Sequence, residues 1–223
     1  MKTVLITGAG RGIGAALAVE MAKLGHNIAI NYNASGDEAE QVAKNCQLST
    51  VNCQLLQCDI RDFSAVQAMI AEIGRVDILV NNAGIALQKL FVDTEEAEWD
   101  NIFAVNTKGA FNCTRAVLPQ MLARGDGQII NISSKHGINP AACEVAYSAS
   151  KAALIAMTDG LAKELAGTDI KISHIALPGV DTDMQKKLEQ DYRQMTGFGY
   201  TDEKKRLTPT EAAQMIIELE IRS

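Results

Sequence analysis

Tyr147 and Lys151 stand one helical turn apart in the stretch YSASK, residues 147–151, of a chain that holds only four tyrosines. On a helix, positions i and i+4 share a face, so the phenol and the ammonium lie side by side. A fixed positive charge beside a phenol favours phenolate. The spacing therefore predicts a Tyr147 pKa below the ordinary value of about 10. Two neighbours on a plain amphipathic helix fit the same spacing, and the pair alone does not separate the readings.

A second chemical element lies near the N-terminus. The stretch TGAGRGIG, residues 7–14, follows a β-branched run and opens a helical pattern. Gly8, Gly12 and Gly14 allow a tight turn whose N–H groups approach a pyrophosphate, with the helix N-terminus adding positive potential. The spacing reads Gly-x-x-x-Gly-x-Gly, or Gly-x-Gly-x-x-Ala counted from Gly10. Its place between a strand and a helix points to a bound dinucleotide. The acidic residue that would hold an NAD ribose is missing, because Asn31, Tyr32 and Asn33 stand where it is expected. Arg11 can meet a 2′-phosphate or stand as a solvated loop charge. Together these favour NADP(H), with NAD(H) as the alternative.

The elements that must position these residues alternate regularly. Strands are predicted at 3–7, 27–31, 53–59, 77–81, 128–133 and 170–177. Helices are predicted from Ile13 to Leu24 with Gly25 as stop, then at 36–46, 62–73, 95–122, 147–166 and 183–195. TPTE, residues 208–211, offers Thr208 as N-cap, Pro209 at the first turn and Glu211 closing a capping box, with a helix through Leu219. Alternation of this kind predicts an α/β fold, a doubly wound parallel sheet of Rossmann type with helices on both faces. All 223 residues are expected in a single domain, with 183–207 as a substrate-loop segment within it.

Composition narrows the function classes. A net charge of −6 without long charged runs argues against a nucleic-acid surface. Five cysteines form no Cys-x-x-Cys pair, and three scattered histidines have no ligand spacing, so reduced thiols and no metal site are expected. No apolar run spans a bilayer and none resembles a secretory leader, so no membrane partner and a cytoplasmic setting are expected.

Taken in order, the motifs resemble the short-chain dehydrogenase/reductase family over residues 3 to about 184. They are TGAGRGIG, Asp59 in CDIRD, NNAG (81–84), Asn106 in AVNTKGAF, Ser134 thirteen residues before Tyr147, YSASK, and Pro178–Gly179 with Thr182. Members that reduce 3-oxoacyl groups on an acyl carrier protein look similar in TGAGRGIG and INYN. The resemblance implies an oxidoreductase interconverting a ketone or aldehyde and an alcohol. Its implied catalytic set is Asn106, Ser134, Tyr147 and Lys151. The implied cofactor contacts are Gly8, Arg11, Gly12, Ile13, Gly14, Asp59, Asn82, Tyr147, Lys151, Pro178, Val180 and Thr182. Tyr147 would be the general acid or base, Ser134 would hold the substrate oxygen, and Lys151 would hold the ribose. Asn106 would support a proton path from a distorted helix.

Ser133 is the competing serine. His136 is expected on a surface loop, with a place lining the substrate cleft as the alternative, and Trp99 in the core or in helix packing. Two departures stand out. Two residues separate Gly179 from Thr182 where the family commonly has three, and the chain lacks the usual last strand, so a sheet edge is expected to be exposed or capped differently. Segment 183–207 mixes charge with Met184, Tyr192, Met195, Phe198 and Tyr200, as a partial lid or a solvated connector. The expected partners are a small carbonyl or alcohol and a second copy, as a homodimer through the helices of 95–122 and 147–166, with a homotetramer the alternative. A 3-oxoacyl reductase and a non-catalytic NADP-binding sensor are the competing functions.

Overall fold

In the computed structural model, which describes residues 1–49, 51–196 and 206–221, six strands form one parallel sheet. They are β1 (Thr3–Ile6), β2 (Asn27–Tyr32), β3 (Cys53–Gln57), β4 (Ile78–Asn81), β5 (Gly127–Ser134) and β6 (Ile170–Leu177). Their order is β3-β2-β1-β4-β5-β6. Parallel strands covered on both faces read as continuous apolar runs, which is why Val4, Leu5 and Ile6 are all buried.

The period of two divides them. Val4 and Ile6 meet Leu17, Met21, Ile28, Ile30 and Val80 on one face, while Leu5 meets Val66, Leu79, Val117, Met121 and Ile129 on the other. The first face is covered by α1 (Gly12–Lys23), α2 (Gly36–Gln47) and α8 (Pro209–Ile216). The second is covered chiefly by α3 (Phe63–Ile73) and α5 (Ala110–Arg124). Each fully buried Leu, Ile or Val contributes about 1.5–3 kcal/mol to holding the layers together.

The expected helix over 95–122 is instead three pieces. α4 (Glu96–Phe103) passes through a π-helical turn at Ala104–Gly109 into α5. A π turn inserts one residue into the helical ladder, and such turns gather at functional sites. The helix of YSASK, α6, runs Val145–Glu164, two residues earlier at each end than expected. Gly25 ends α1 with φ +82°. Thr208 caps α8 with the reciprocal Glu211 bond in place, and the helix passes into a π turn at Ile217–Ile221.

Strand β6 has no outer partner among the described residues. The chain beyond it is tied in differently: Val180 bridges Leu207, with Leu207 N–H donating to Gly179 at 3.1 Å and Asp181 N–H to Leu207 at 2.8 Å. Helix α7 (Asp183–Thr196) fills the first part of segment 183–207, and an ion pair joins its Glu189 to Arg206. Phe198 and Tyr200 lie outside the described residues. Trp99 stacks on Phe103 within α4, with ring centroids 5.0 Å apart.

Candidate active site

Strand order reverses between β1 and β4, and in open α/β sheets the crevice beyond the strand ends at such a point receives ligands. A cavity of about 590 Å³ opens there, running from Gly8 and Arg11 past Asp59 to Ser134, Tyr147, Lys151 and Thr182.

Its near wall is the glycine loop, held by backbone-scale packing. Gly8 has φ +63°, and a Cβ added there would stand 2.8 Å from Ala83 Cα. A Cβ on Gly14 would fall 2.5 Å from Asn82 Nδ2 and 2.7 Å from the Gly8 carbonyl. Asn82 donates from Nδ2 to the carbonyls of Thr7 at 2.9 Å and Gly8 at 3.2 Å. Thr7 Oγ1 in return accepts the Asn82 and Ala83 N–H groups at 3.0 and 3.1 Å. The Nδ2 group of Asn82 is thus spent on clasping the loop, and the residue lines the cavity. Such a cradle of close backbone, with Gly8 and Gly12 both at positive φ, fits a dinucleotide pyrophosphate.

Asn31 explains the missing acid at its own position. Its Oδ1 accepts the Gly8 N–H at 3.3 Å, while Nδ2 donates to the carbonyls of Leu56 at 3.3 Å and Cys58 at 3.0 Å. An ionised carboxylate accepts but cannot donate, so it would lose both of those bonds. Arg11 precedes α1 and is exposed at the cavity mouth with Asn33 and Ser35. Asp59 borders the same end, but Arg61 grips it through Nε at 3.0 Å and Nη2 at 2.6 Å. That hydrogen-bonded guanidinium holds the Asp59 carboxyl below its ordinary range, and Nη1 reaches on to Asn101 Oδ1 at 2.8 Å.

At the far end Ser134 closes β5, and the first two turns of α6 present Tyr147 and Lys151. The Ser134 hydroxyl accepts the His136 N–H at 3.1 Å and lies close enough to the Tyr147 phenol to stabilise its ionised form. Ser133 turns instead to the Lys151 carbonyl at 3.1 Å. Lys151 Nζ lies 5.9 Å from the Tyr147 ring centroid and donates to the Ile132 carbonyl at 2.8 Å.

The expected lowering of the tyrosine is not what the structure has. Burial pushes the Tyr147 phenol up to about 12, with Glu144 adding to the rise and the Ser134 hydroxyl opposing it. Burial also pulls Lys151 down to about 8. In a site with so little solvent the cost of burying either charge outweighs the attraction expected between them.

Asn106 lies in the π turn. Its Oδ1 accepts the Ile85 N–H at 2.8 Å, and Nδ2 donates to the Ile85 carbonyl at 2.9 Å and to Ser150 Oγ at 2.9 Å. Ser150 Oγ donates to the Tyr147 carbonyl at 2.7 Å, which joins the π turn to α6. Gly84 faces this junction, since a Cβ there would stand 3.3 Å from Asn106 Oδ1 and 3.4 Å from Lys151 Nζ. Ile13, Pro178 and Val180 line the cavity. Thr182 lies across from Gly12 and accepts the Gln185 N–H at 3.3 Å, capping α7.

Three contributors were missed or misplaced. His136 takes the alternative place rather than the surface loop: it lines the cavity with its Nδ1 3.0 Å from Glu144 Oε2. Glu144 precedes the first turn of α6, and an acidic residue at a helix N-terminus was the signal that could have found it. Ser150 had no signal beyond its place in YSASK, because its role exists only where the π turn meets α6.

A Rossmann-type sheet whose nucleotide cradle leads to a Ser-Tyr-Lys cluster defines a dinucleotide-dependent oxidoreductase. The family model for short chain dehydrogenases matches residues 2–193. The chain belongs to that family and interconverts carbonyl and alcohol groups. It is 38% identical over 197 residues to the 3-oxoacyl-(acyl-carrier-protein) reductase FabG of Staphylococcus aureus, covering 86% of this chain and 80% of the relative. The corresponding reductase of Thermotoga maritima is 36% identical over 222 residues, covering 98% and 89%. Nodulation protein G of Azospirillum brasilense is 39% identical over 197 residues, covering 86% and 80%. Among solved structures, a variant of the actinorhodin polyketide ketoreductase with NADPH superposes with a TM-score of 0.90 at 28% identity, over 98% of this chain and 89% of that one.

Proposed function

We propose that Tyr147 is the proton donor, Ser134 the holder of the substrate oxygen and Lys151 the orienting base-side group of an NADP(H)-dependent ketone or aldehyde reductase. The loop Gly8–Gly14 would hold NADP(H), which when bound would supply a hydride in reduction and, as NADP+, accept one in alcohol oxidation. One observation carries the reading: Ser134, Tyr147 and Lys151 together line a cavity that starts in the glycine loop.

With its pKa raised to about 12, the phenol holds its proton at neutral pH, the form that carbonyl reduction consumes. Ser134 aligns the carbonyl oxygen with that proton. Lys151, fixed by Ile132, keeps two further donors for ribose hydroxyls. Asn106, anchored to Ile85 and Ser150, positions the backbone of the π turn next to Lys151 for a water-linked proton path. Arg11 at the mouth takes the 2′-phosphate, and Asp59 with Arg61 borders the adenine. Pro178, Val180 and Thr182 close the nicotinamide side, and α7 covers the substrate through Met184 and Leu188.

The curated relatives favour a 3-oxoacyl thioester as the physiological carbonyl. A homodimer and a cytoplasmic setting belong to the same reading. Among the described residues no helix is long and apolar enough to cross a membrane, and no cluster of His, Cys, Asp and Glu could hold a metal.

The test is oxidation of NADPH and NADH against a panel of carbonyl compounds, with Tyr147→Phe alongside. The variant should bind NADPH normally and lose about 10²–10⁴-fold in kcat, the usual worth of a positioned acid. An active Tyr147→Phe protein would overturn the assignment, and equal efficiency with NADPH and NADH would overturn the role given to Arg11.

A further inference from the structure

The cavity contains a polar pair that proton transfer and cofactor binding leave unused. Glu144 is only 2% exposed, and its carboxyl meets His136 Nδ1 at 3.0 Å. Both residues line the cavity beside Ser134 and Tyr147. His136 is fixed at three points: its N–H donates to Ser134 Oγ, its Nδ1 is held by Glu144, and its ring stands edge-on to the Tyr147 ring at 6.5 Å between centroids. The other ring nitrogen, Nε2, has no hydrogen-bond partner among the described residues and is not sealed from solvent. An imidazole locked through one nitrogen presents the other as a hydrogen-bonding group of fixed direction. Here His136 lines the same cavity as Ser134 and Tyr147, which a substrate must enter to reach their hydroxyls.

We infer that His136, oriented by Glu144, determines substrate specificity by hydrogen-bonding a second oxygen function, hydroxyl or carbonyl, carried within two or three bonds of the reacting carbonyl carbon. The inference rests on the Ser134–Tyr147 reading of the site. Imidazole can donate or accept at Nε2, so a hydroxyl and a carbonyl oxygen share the chemistry it recognises. A site group built to bond a polar substituent discriminates strongly against the analogue lacking it, because binding that analogue leaves the group buried and unpaired. Plain ketones are therefore the poor substrates of this cleft.

Four substrates in two matched pairs test this with purified protein and NADPH: hydroxyacetone against 2-butanone, and ethyl 3-oxobutanoate against 2-hexanone. The wild type should favour the oxygen-bearing member of at least one pair. His136→Leu should cut kcat/KM for that member by about 10- to 100-fold, mainly through KM, the range for a hydrogen bond in a desolvated site. The plain ketone should change by no more than about threefold and NADPH affinity should be unchanged, while His136→Gln, which keeps a polar group there, should fall between. Which pair responds tells a hydroxyl from a carbonyl. Equal losses for both members of a pair, no loss at all, or a wild type indifferent to the second oxygen would each overturn the inference. Tyr147→Phe separates the two layers: it must silence all four substrates, and turnover surviving there would bring down the underlying site reading instead.

Discussion

Lys151 and Tyr147 are both shifted away from their charged forms, the lysine down to about 8 and the phenol up to about 12, with burial as the main cause in each. For the lysine the folded protein releases its proton more readily than the unfolded chain does. Between about pH 8 and the ordinary lysine value of about 10.5 the unfolded chain therefore binds more protons, and stability rises with pH. The destabilisation is fully present below about pH 8 and is relieved as the pH approaches 10.5. Lys151→Met should accordingly be more stable than wild type at pH 7, with the gap closing by about pH 10, as read from urea midpoints across that range. A variant that is less stable at pH 7 would mean that the Ile132 bond outweighs the buried charge. At this scale the sequence was legible in identity more than in energetics. The residue types and the order of Ser134, Tyr147 and Lys151 were plain, but the sign of the phenol shift depends on how much water the finished cleft admits.

The elements that meet at the cleft do so through contacts with little room for an added methyl group. In the glycine loop, Gly14 leaves no space between Asn82 and the Gly8 carbonyl. Gly14→Ala should cost about 1–3 kcal/mol in stability, as overpacking does, and should weaken NADPH binding by displacing the clasp. Gly160, inside the C-terminal half of α6, is the control, since a Cβ there meets nothing within 4 Å. Gly160→Ala should be neutral or stabilising by up to about 1 kcal/mol, and thermal melts with NADPH titrations would separate the two. The alternation of strands and helices was readable from periodicity, and so was the capping box of Thr208 and Glu211. The π turn was not a matter of periodicity, because Glu96 to Arg124 keeps a helical pattern throughout. The extra residue shows only in the bonds of Asn106 to Ile85 and Ser150.

On the whole molecule, the outer surface of α5 keeps Phe111 at 45% and Leu122 at 48% exposure. Eleven residues apart, they lie on the same helix face. Large apolar groups repeated along one face mark an association surface, and the homodimer proposed through this helix would cover them. Phe111→Glu combined with Leu122→Glu should convert the dimer to monomer in sedimentation velocity while leaving the far-ultraviolet circular dichroism unchanged. A wild-type protein that sediments as a monomer would remove the dimer from the account.

The sequence by itself determined the parallel doubly wound sheet, the glycine turn at its first crossover and the ordered set of site residues. These follow from local rules: the period of each element, the φ freedom of glycine, and one helical turn between Tyr147 and Lys151. Tertiary structure alone decided what those residues share the cleft with. Asn31 bonds across to β3, Asn82 clasps the loop of β1, and Glu144 turns His136 inward beside Tyr147. Each of those contacts joins segments from 8 to 75 positions apart in the chain, and only the packed core sets their directions and the burial that shifts their charges.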